Sequence, residues 1–181
     1  PLKPPAFCMA LRKHLRNGKI REVQQHEFER VMTIKVEVRE DTFLLLTELF
    51  GDGNIILVSP QGIILHALTY RRMRDRNVLR GEIFKYAPPS GKNPFHLSRQ
   101  GLDEIKHYGQ LEIVRALTKF LSIGGTYAEE ILVRAEIDKN TSCEGLTRQE
   151  ADAIFTQTQT LLSKTTVGEF EPPIVVDEKG D

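Results

Sequence analysis

The first apolar positions recur at helical spacing. Phe7, Ala10, Leu11, His14 and Leu15 share one side of a helix over residues 6–16, and Arg12, Lys13 and Arg16 take the other. Pro4-Pro5 precedes this stretch and Asn17-Gly18 supplies a stop. His14 stands on the apolar side, which predicts a packed, hydrogen-bonded histidine. From Lys19 onward the period becomes two. Met32, Ile34, Val36 and Val38 alternate with Val31, Thr33, Lys35, Glu37 and Arg39, the pattern of a strand with one buried face. Residues 42–50, 54–58 and 63–68 read as further strands, the last two joined by a turn at Ser59-Pro60-Gln61-Gly62. Residues 77–91 read as irregular, with Pro88-Pro89-Ser90-Gly91 as a linker.

Beyond the linker the helical period returns. Ser98 is placed to cap residues 100–108, and a helix over 110–121 carries Leu111, Val114, Leu117, Thr118 and Leu121 along one side. Thr126 with Glu129, and Thr147 with Glu150, have capping-box spacing, predicting helices over about 126–136 and 147–164. Pro172 to Asp177 reads as a strand returning to the sheet. The expected class is α+β: an antiparallel β-sandwich or open barrel through residue 92, a helical module over 93–166, and a strand or linker over 167–181.

The 181 residues balance 25 Lys+Arg against 25 Asp+Glu, but unevenly. Residues 1–100 hold 17 basic against 10 acidic side chains, and residues 101–181 hold 8 against 15. A basic front part suits nucleic acid. Five arginines, Arg71, Arg72, Arg74, Arg76 and Arg80, fall within ten residues, opposed there by Asp75 alone. With Tyr70 the one aromatic beside them, backbone contact is expected of them rather than base stacking.

Other chemistries find little support. No apolar run approaches the ~20 residues of a membrane helix, and the stretch from Ala6 to Ala10 is too short for a signal-peptide core. Cys8 and Cys143 match no metal-ligand spacing and are expected as reduced thiols of a cytoplasmic protein, although a disulfide is allowed. His26, His66, His96 and His107 are scattered, and no Ser/His/Asp order or Walker loop stands out. No catalysis, cofactor or metal is therefore expected. The opening Pro1-Leu2-Lys3-Pro4-Pro5, without an initiator Met, reads as part of a longer chain.

Two resemblances sharpen this. The string from Ser122 to Ala135, with Gly124, Gly125 and Thr126 at a helix start, resembles the helix-two-turn-helix of the formamidopyrimidine-DNA glycosylase (Fpg/Nei) superfamily. Free N–H groups and the positive helix end suit a phosphate there. Those glycosylases use an N-terminal proline amine normally followed by Glu. Here Leu2 follows Pro1, and two cysteines cannot build their four-cysteine zinc finger, so a glycosylase is the lesser alternative.

The front of the chain resembles the NFACT family (RqcH/NEMF-like, including the archaeal-type "fibronectin-binding protein A" homologues). Phe7 to Ile20 is similar to its Phe-x-Met-x-Leu-Arg-Lys-His-Leu helix. Glu29-Arg30-Val31 falls on its Asp-Arg step, with Glu in place of the usual Asp. Glu48 to Val58, Arg71 to Arg76 and Pro88-Pro89 match further blocks in order.

The resemblance implies an Fpg-like N-terminal β domain with a helix-hairpin-helix module, as part of a protein whose coiled coil and RNA-binding module lie elsewhere. It implies tRNA and the large ribosomal subunit as partners, in a quality-control protein that supports mRNA-independent tailing of stalled chains. It also allows a homodimer through regions outside this stretch. Glu29 and Arg30 become tRNA-contacting residues, a guanidinium stacking on or forking to a base or phosphate. Arg12, Lys13, Arg16 and the arginines from Arg71 to Arg76 become further RNA contacts. The family's historical label makes an adhesin the remaining alternative.

Overall fold

In a computed structural model, which describes residues 3–168, the basic helix forms as α1 (Ala6–Leu15). Asn17 follows it at φ 60°, a left-handed conformation that Asn tolerates better than most residues. The chain divides into two compact units, Pro1–Pro89 and Ser90–Asp181.

The first unit is built on a five-stranded antiparallel meander: β1 (Lys19–Gln25), β2 (Val31–Val38), β3 (Asp41–Glu48), β4 (Asn54–Val58) and β5 (Ile64–Ala67), adjacent in chain order. A two-stranded ribbon, β6 (Arg71–Arg72) with β7 (Asn77–Val78), follows. All seven residues of β1 are exposed, and the strand is an edge of the sheet. Its ladder to β2 is irregular between Ile20 and Glu22, and two ion pairs cross it: Arg21–Glu37 at 2.6 Å and Lys35–Glu22 at 2.7 Å.

The single buried face expected of β2 is corrected here. Of Met32, Ile34, Val36 and Val38 only Val36 is buried, while Val31 and Thr33, on the opposite face, are buried as well. The reason is that both faces of the sheet are covered. On one face the register sets Val31 beside Glu48 and Thr33 beside Leu46, and Leu46 beside Ile56. Val78, Phe84 and Tyr86 pack on that core, and the Tyr86 hydroxyl meets Thr33 Oγ1 at 3.2 Å. On the other face α1 sets Phe7 edge-on to His66, with ring centroids 5.7 Å apart, and His14 against Phe43 at 5.8 Å. β4, covered from both sides, is buried at four of its five positions. Such a strand shows no clean alternation.

Residues 77–91, read as irregular, begin with β7 and then lie along β5. The Ile64 amide donates to the Glu82 carbonyl at 2.8 Å and the Phe84 amide to the Gly62 carbonyl at 2.8 Å. Backbone pairing without side-chain periodicity leaves little trace in sequence.

The second unit is helical: α2 (Arg99–Leu102), α3 (Ile113–Phe120), α4 (Gly125–Arg134) and α5 (Arg148–Val167), with 3-10 turns at Pro94–His96, Asp103–Tyr108 and Cys143–Gly145. Leu102, Ile105, Ile113, Leu117, Leu121, Ile131, Leu132 and Ile154 are its fully buried centre. Ser98 caps α2 by accepting from the Gly101 amide at 3.0 Å. At α5 the capping box forms as expected, the Glu150 amide donating to Thr147 Oγ1 and the Thr147 amide to the Glu150 carboxylate. Val167 ends α5 and Gly168 follows it in a left-handed conformation; the rest of the strand or linker expected over 167–181 lies outside the described residues.

Both cysteines are free. The buried Cys143 thiol donates to the Leu111 carbonyl at 3.0 Å, and burial pushes its pKa up. Among the described residues no helix is long and apolar enough to cross a membrane.

Candidate functional site

One end of the sheet collects most of the residues singled out in the first unit. Between β1 and β2 the chain turns tightly: the His26 amide donates to the Val31 carbonyl at 2.9 Å, and the Glu29 amide to the His26 carbonyl at 3.0 Å. Glu27 takes φ 48° within this loop, and the Gln25 side-chain amide donates to the Glu29 carbonyl at 2.9 Å. Glu29 is half-buried and Arg30 exposed. The Leu49 amide donates to the Arg30 carbonyl at 2.8 Å, tying this loop to the end of β3.

The same end carries the arginine-rich ribbon. Register sets Val31 beside Glu48, and Glu48 beside Asn54. The Asn54 amide group then holds Thr69 twice, donating to its carbonyl at 2.9 Å and accepting from its N–H at 3.0 Å. Arg71 donates to Asp52, in the β3–β4 turn, at 3.2 Å. The ribbon closes through the Met73 amide on the Arg76 carbonyl at 3.2 Å, leaving Arg72 and Arg74 exposed.

Arg76 leaves the set of expected RNA contacts. Its guanidinium is buried, paired to the Glu48 carboxylate at 2.5 Å and donating to the Lys85 carbonyl at 3.0 Å. A cation enclosed with its own counter-charge is not offered to a ligand. Among the described residues its Nε has no hydrogen-bond partner.

Arg12, Lys13 and Arg16 are exposed but belong to the other end of the sheet. The end of α1 leads into Gly18, where an added Cβ would stand 2.6 Å from Val36 Cγ1 and 3.0 Å from Val38 Cγ2. Arg30 precedes Val36 by six strand positions, about 20 Å. Arg80 goes with this second group, since Arg80 and Lys13 both act on His14. The His14 pKa is lowered, first by burial, then by the charges of Lys13 and Arg80. The basic residues thus form two groups at opposite ends of the sheet.

An aromatic pair that sequence reasoning passed over starts from the loop that bears Arg30. The His26 ring stacks on Tyr86 with centroids 3.5 Å apart and planes 6° from parallel. Phe84 meets Tyr86 edge-on at 5.0 Å. No local signal joins residues so distant in the chain. Only the Pro88-Pro89 resemblance touched this region.

In the second unit α3 and α4 are consecutive helices joined by a short turn, at the place where the resemblance set a helix-two-turn-helix. The turn is braced by the segment before α2: the Lys92 amide donates to the Phe120 carbonyl at 2.7 Å, and Ser90 and Ser122 meet through their hydroxyls. Ser122 adopts φ 54°. The capping box expected at Thr126 is corrected. Helix α4 starts at Gly125 with Gly124 as N-cap and no side-chain cap, so Thr126 already stands inside the first turn. Its first backbone bond runs from the Ala128 amide to the Gly124 carbonyl at 3.1 Å. The N–H groups of Gly125, Thr126 and Tyr127 precede that bond, as at any helix start, and Gly124, Gly125 and Thr126 are exposed. Among the described residues no three His, Cys, Asp or Glu side chains gather as a metal-holding group.

Comparison with known proteins adds a family and several relatives. Residues 1–181 match the family model described as NFACT N-terminal and middle domains. The archaeal Rqc2 homolog aRqcH of Methanocaldococcus jannaschii is 37% identical over 169 residues, covering 91% of this chain and 25% of the relative. A ribosome quality control complex subunit NEMF homolog of Drosophila melanogaster is 24% identical over 162 residues, covering 84% of this chain and 16% of its own length. The chain therefore spans a quarter or less of these relatives. Among solved structures, the N-terminal part of the fibronectin/fibrinogen-binding protein from Streptococcus suis superposes with a TM-score of 0.63 at 26% identity. That match covers 86% of this chain and 60% of the other.

Proposed function

The chain belongs to the family of NFACT N-terminal and middle domains, and from that premise we propose that it is a tRNA- and large-ribosomal-subunit-binding module of a ribosome quality-control protein. It binds rather than catalyses. Peptide-bond formation during mRNA-independent tailing of a stalled chain belongs to the ribosome, and this module helps to hold the tRNA. Its working compartment is the cytoplasm, where both partners are found.

The observation that carries this reading is the gathering of Arg30, Arg71, Arg72 and Arg74 at one end of the sheet, on loops fixed by Asn54, Asp52 and the buried Glu48–Arg76 pair. The exposed guanidinium groups of Arg30, Arg72 and Arg74 on a stiff frame suit a phosphate backbone, each contact adding salt-dependent affinity. Arg12, Lys13 and Arg16 supply a second set of contacts at the other end. The α3–α4 pair is read as an Fpg/Nei-like hairpin, with the backbone at Gly124, Gly125 and Thr126 taking a further phosphate. The names of the archaeal and fly relatives support the quality-control setting.

The test immobilises the full-length protein that carries this chain and sequences the RNA it retains from a lysate. Enrichment of tRNA together with large-subunit rRNA is expected. Retention of neither overturns the reading, and retention of fibronectin without RNA replaces it with adhesion. Arg30→Ala weakens tRNA binding, and unchanged affinity at low salt removes Arg30 from the interface.

A further inference from the structure

The loop that presents Arg30 also presents a flat, backed ring. We propose that the His26–Tyr86 stack is a nucleobase platform: an unpaired base of the bound RNA lies on His26 while Arg30, in the same loop, engages the adjoining phosphate. The inference rests on the RNA-binding reading and adds to it a subsite that contacts a base.

The stack has the properties such a platform needs. The two rings are parallel within 6° at 3.5 Å, so one face of His26 is covered and its plane is fixed. Tyr86 is itself anchored, through its hydroxyl to Thr33 at 3.2 Å and through Phe84 edge-on at 5.0 Å. Backbone bonds from the His26 amide to Val31 and from the Glu29 amide to His26 hold the loop. His26 is half-buried, not enclosed. A fixed planar ring on a loop that also bears an exposed guanidinium is the chemistry that receives a splayed-out base, whose faces are apolar and whose phosphate is charged. A base inside a duplex is already stacked on its neighbours, so the ligand is a single-stranded loop or end.

Two measurements test this on the full-length protein. In the first, tRNA binding is titrated at several salt concentrations for the wild type, His26→Ala, His26→Phe and Arg30→Ala. Stacking predicts that His26→Ala weakens binding about 5- to 140-fold without altering the salt slope. His26→Phe, which keeps a flat ring, stays within about threefold of the wild type. Arg30→Ala instead lowers the slope by about one. Undiminished binding by His26→Ala overturns the platform while leaving the RNA reading intact. Failure of the wild type to bind tRNA overturns both.

The second measurement needs no variant. RNA carrying 5-iodouridine in its loops is irradiated on the wild-type protein and the crosslinked peptide is identified by mass spectrometry. A crosslink to the peptide spanning residues 26–30 supports the platform, and crosslinks confined to other peptides overturn it.

Discussion

Glu48 and Arg76 meet at 2.5 Å inside the first unit, with 6% and 3% of their side chains exposed. One comes from the last position of β3 and the other from the turn of the arginine-rich ribbon, so this buried ion pair joins the sheet to that ribbon. Removing either partner strands a buried charge. Arg76→Ala and Glu48→Ala are each expected to destabilise the unit by about 3–5 kcal/mol. An apolar replacement of both, Glu48→Leu with Arg76→Met, is expected to cost less than either single change. Equilibrium urea unfolding of the four proteins decides it. Additive losses in the double variant would show that the two side chains do not act as a pair.

Arg72 and Arg74, exposed on the same ribbon, should behave in the opposite way. The double change Arg72→Ala/Arg74→Ala leaves the unfolding curve unchanged and lowers the slope of log affinity for tRNA against log salt by about two. Filter binding over a range of salt concentrations measures the slope. A slope equal to that of the wild type takes these arginines out of the interface.

The capping box at α5 gives a pH-dependent contribution of known sign. Hydrogen bonds from the Thr147 amide and hydroxyl hold the Glu150 carboxyl below its usual pKa. A carboxylate depressed in the folded state stabilises it above the ordinary carboxyl range, and the contribution disappears as pH falls through the folded value. Glu150→Ala is therefore expected to cost about 0.5–1.5 kcal/mol at neutral pH and to approach the wild type as pH falls through the depressed folded value. Thermal melts of both proteins across the acid range test the convergence. A gap independent of pH would assign the effect to something other than the charged carboxylate.

Two glycines of the second unit should respond differently to the same change. A Cβ on Gly91 would lie 2.5 Å from the Lys119 carbonyl oxygen and 2.6 Å from the Ser122 amide nitrogen, both backbone atoms at the α3–α4 turn. Gly91→Ala is expected to destabilise by about 1–3 kcal/mol. A Cβ on Gly125 meets nothing within 4 Å, so Gly125→Ala should stay within about 0.5 kcal/mol of the wild type. Chemical denaturation ranks them, and equal effects would contradict the packing described for the turn.

What the sequence made legible follows the reach of its signals. Local periodicity marked α1 and the strands around Leu46 and Ile56, and the Thr147–Glu150 spacing marked the start of α5. Each of these rests on residues a few positions apart. Signals failed where the cause lay elsewhere in the chain. Val31 and Thr33 are buried because a distant segment bearing Phe84 and Tyr86 covers them. Arg76 reads like its neighbours in sequence, and only Glu48 distinguishes an enclosed guanidinium from an exposed one. Thr126 has the spacing of a cap, yet Gly124, free of a side chain, starts the helix earlier. His26 is unremarkable among scattered histidines until Tyr86 is brought against it.

The exposed edge strand β1 bears on how the chain behaves in company. Ile20 and Val23 are 66% and 56% exposed on a strand whose outer backbone has no neighbour among the described residues, an arrangement that invites another strand to add on. The irregularity at Ile20–Glu22 breaks the even ladder such an intruder needs, and Lys19, Arg21 and Glu22 surround the two apolar residues with charge. Those charges are screened as ions are added, so colloidal stability here is coupled to ionic strength. The same salt that would release RNA from the arginines, if they bind it as proposed, also lowers the guard on this edge.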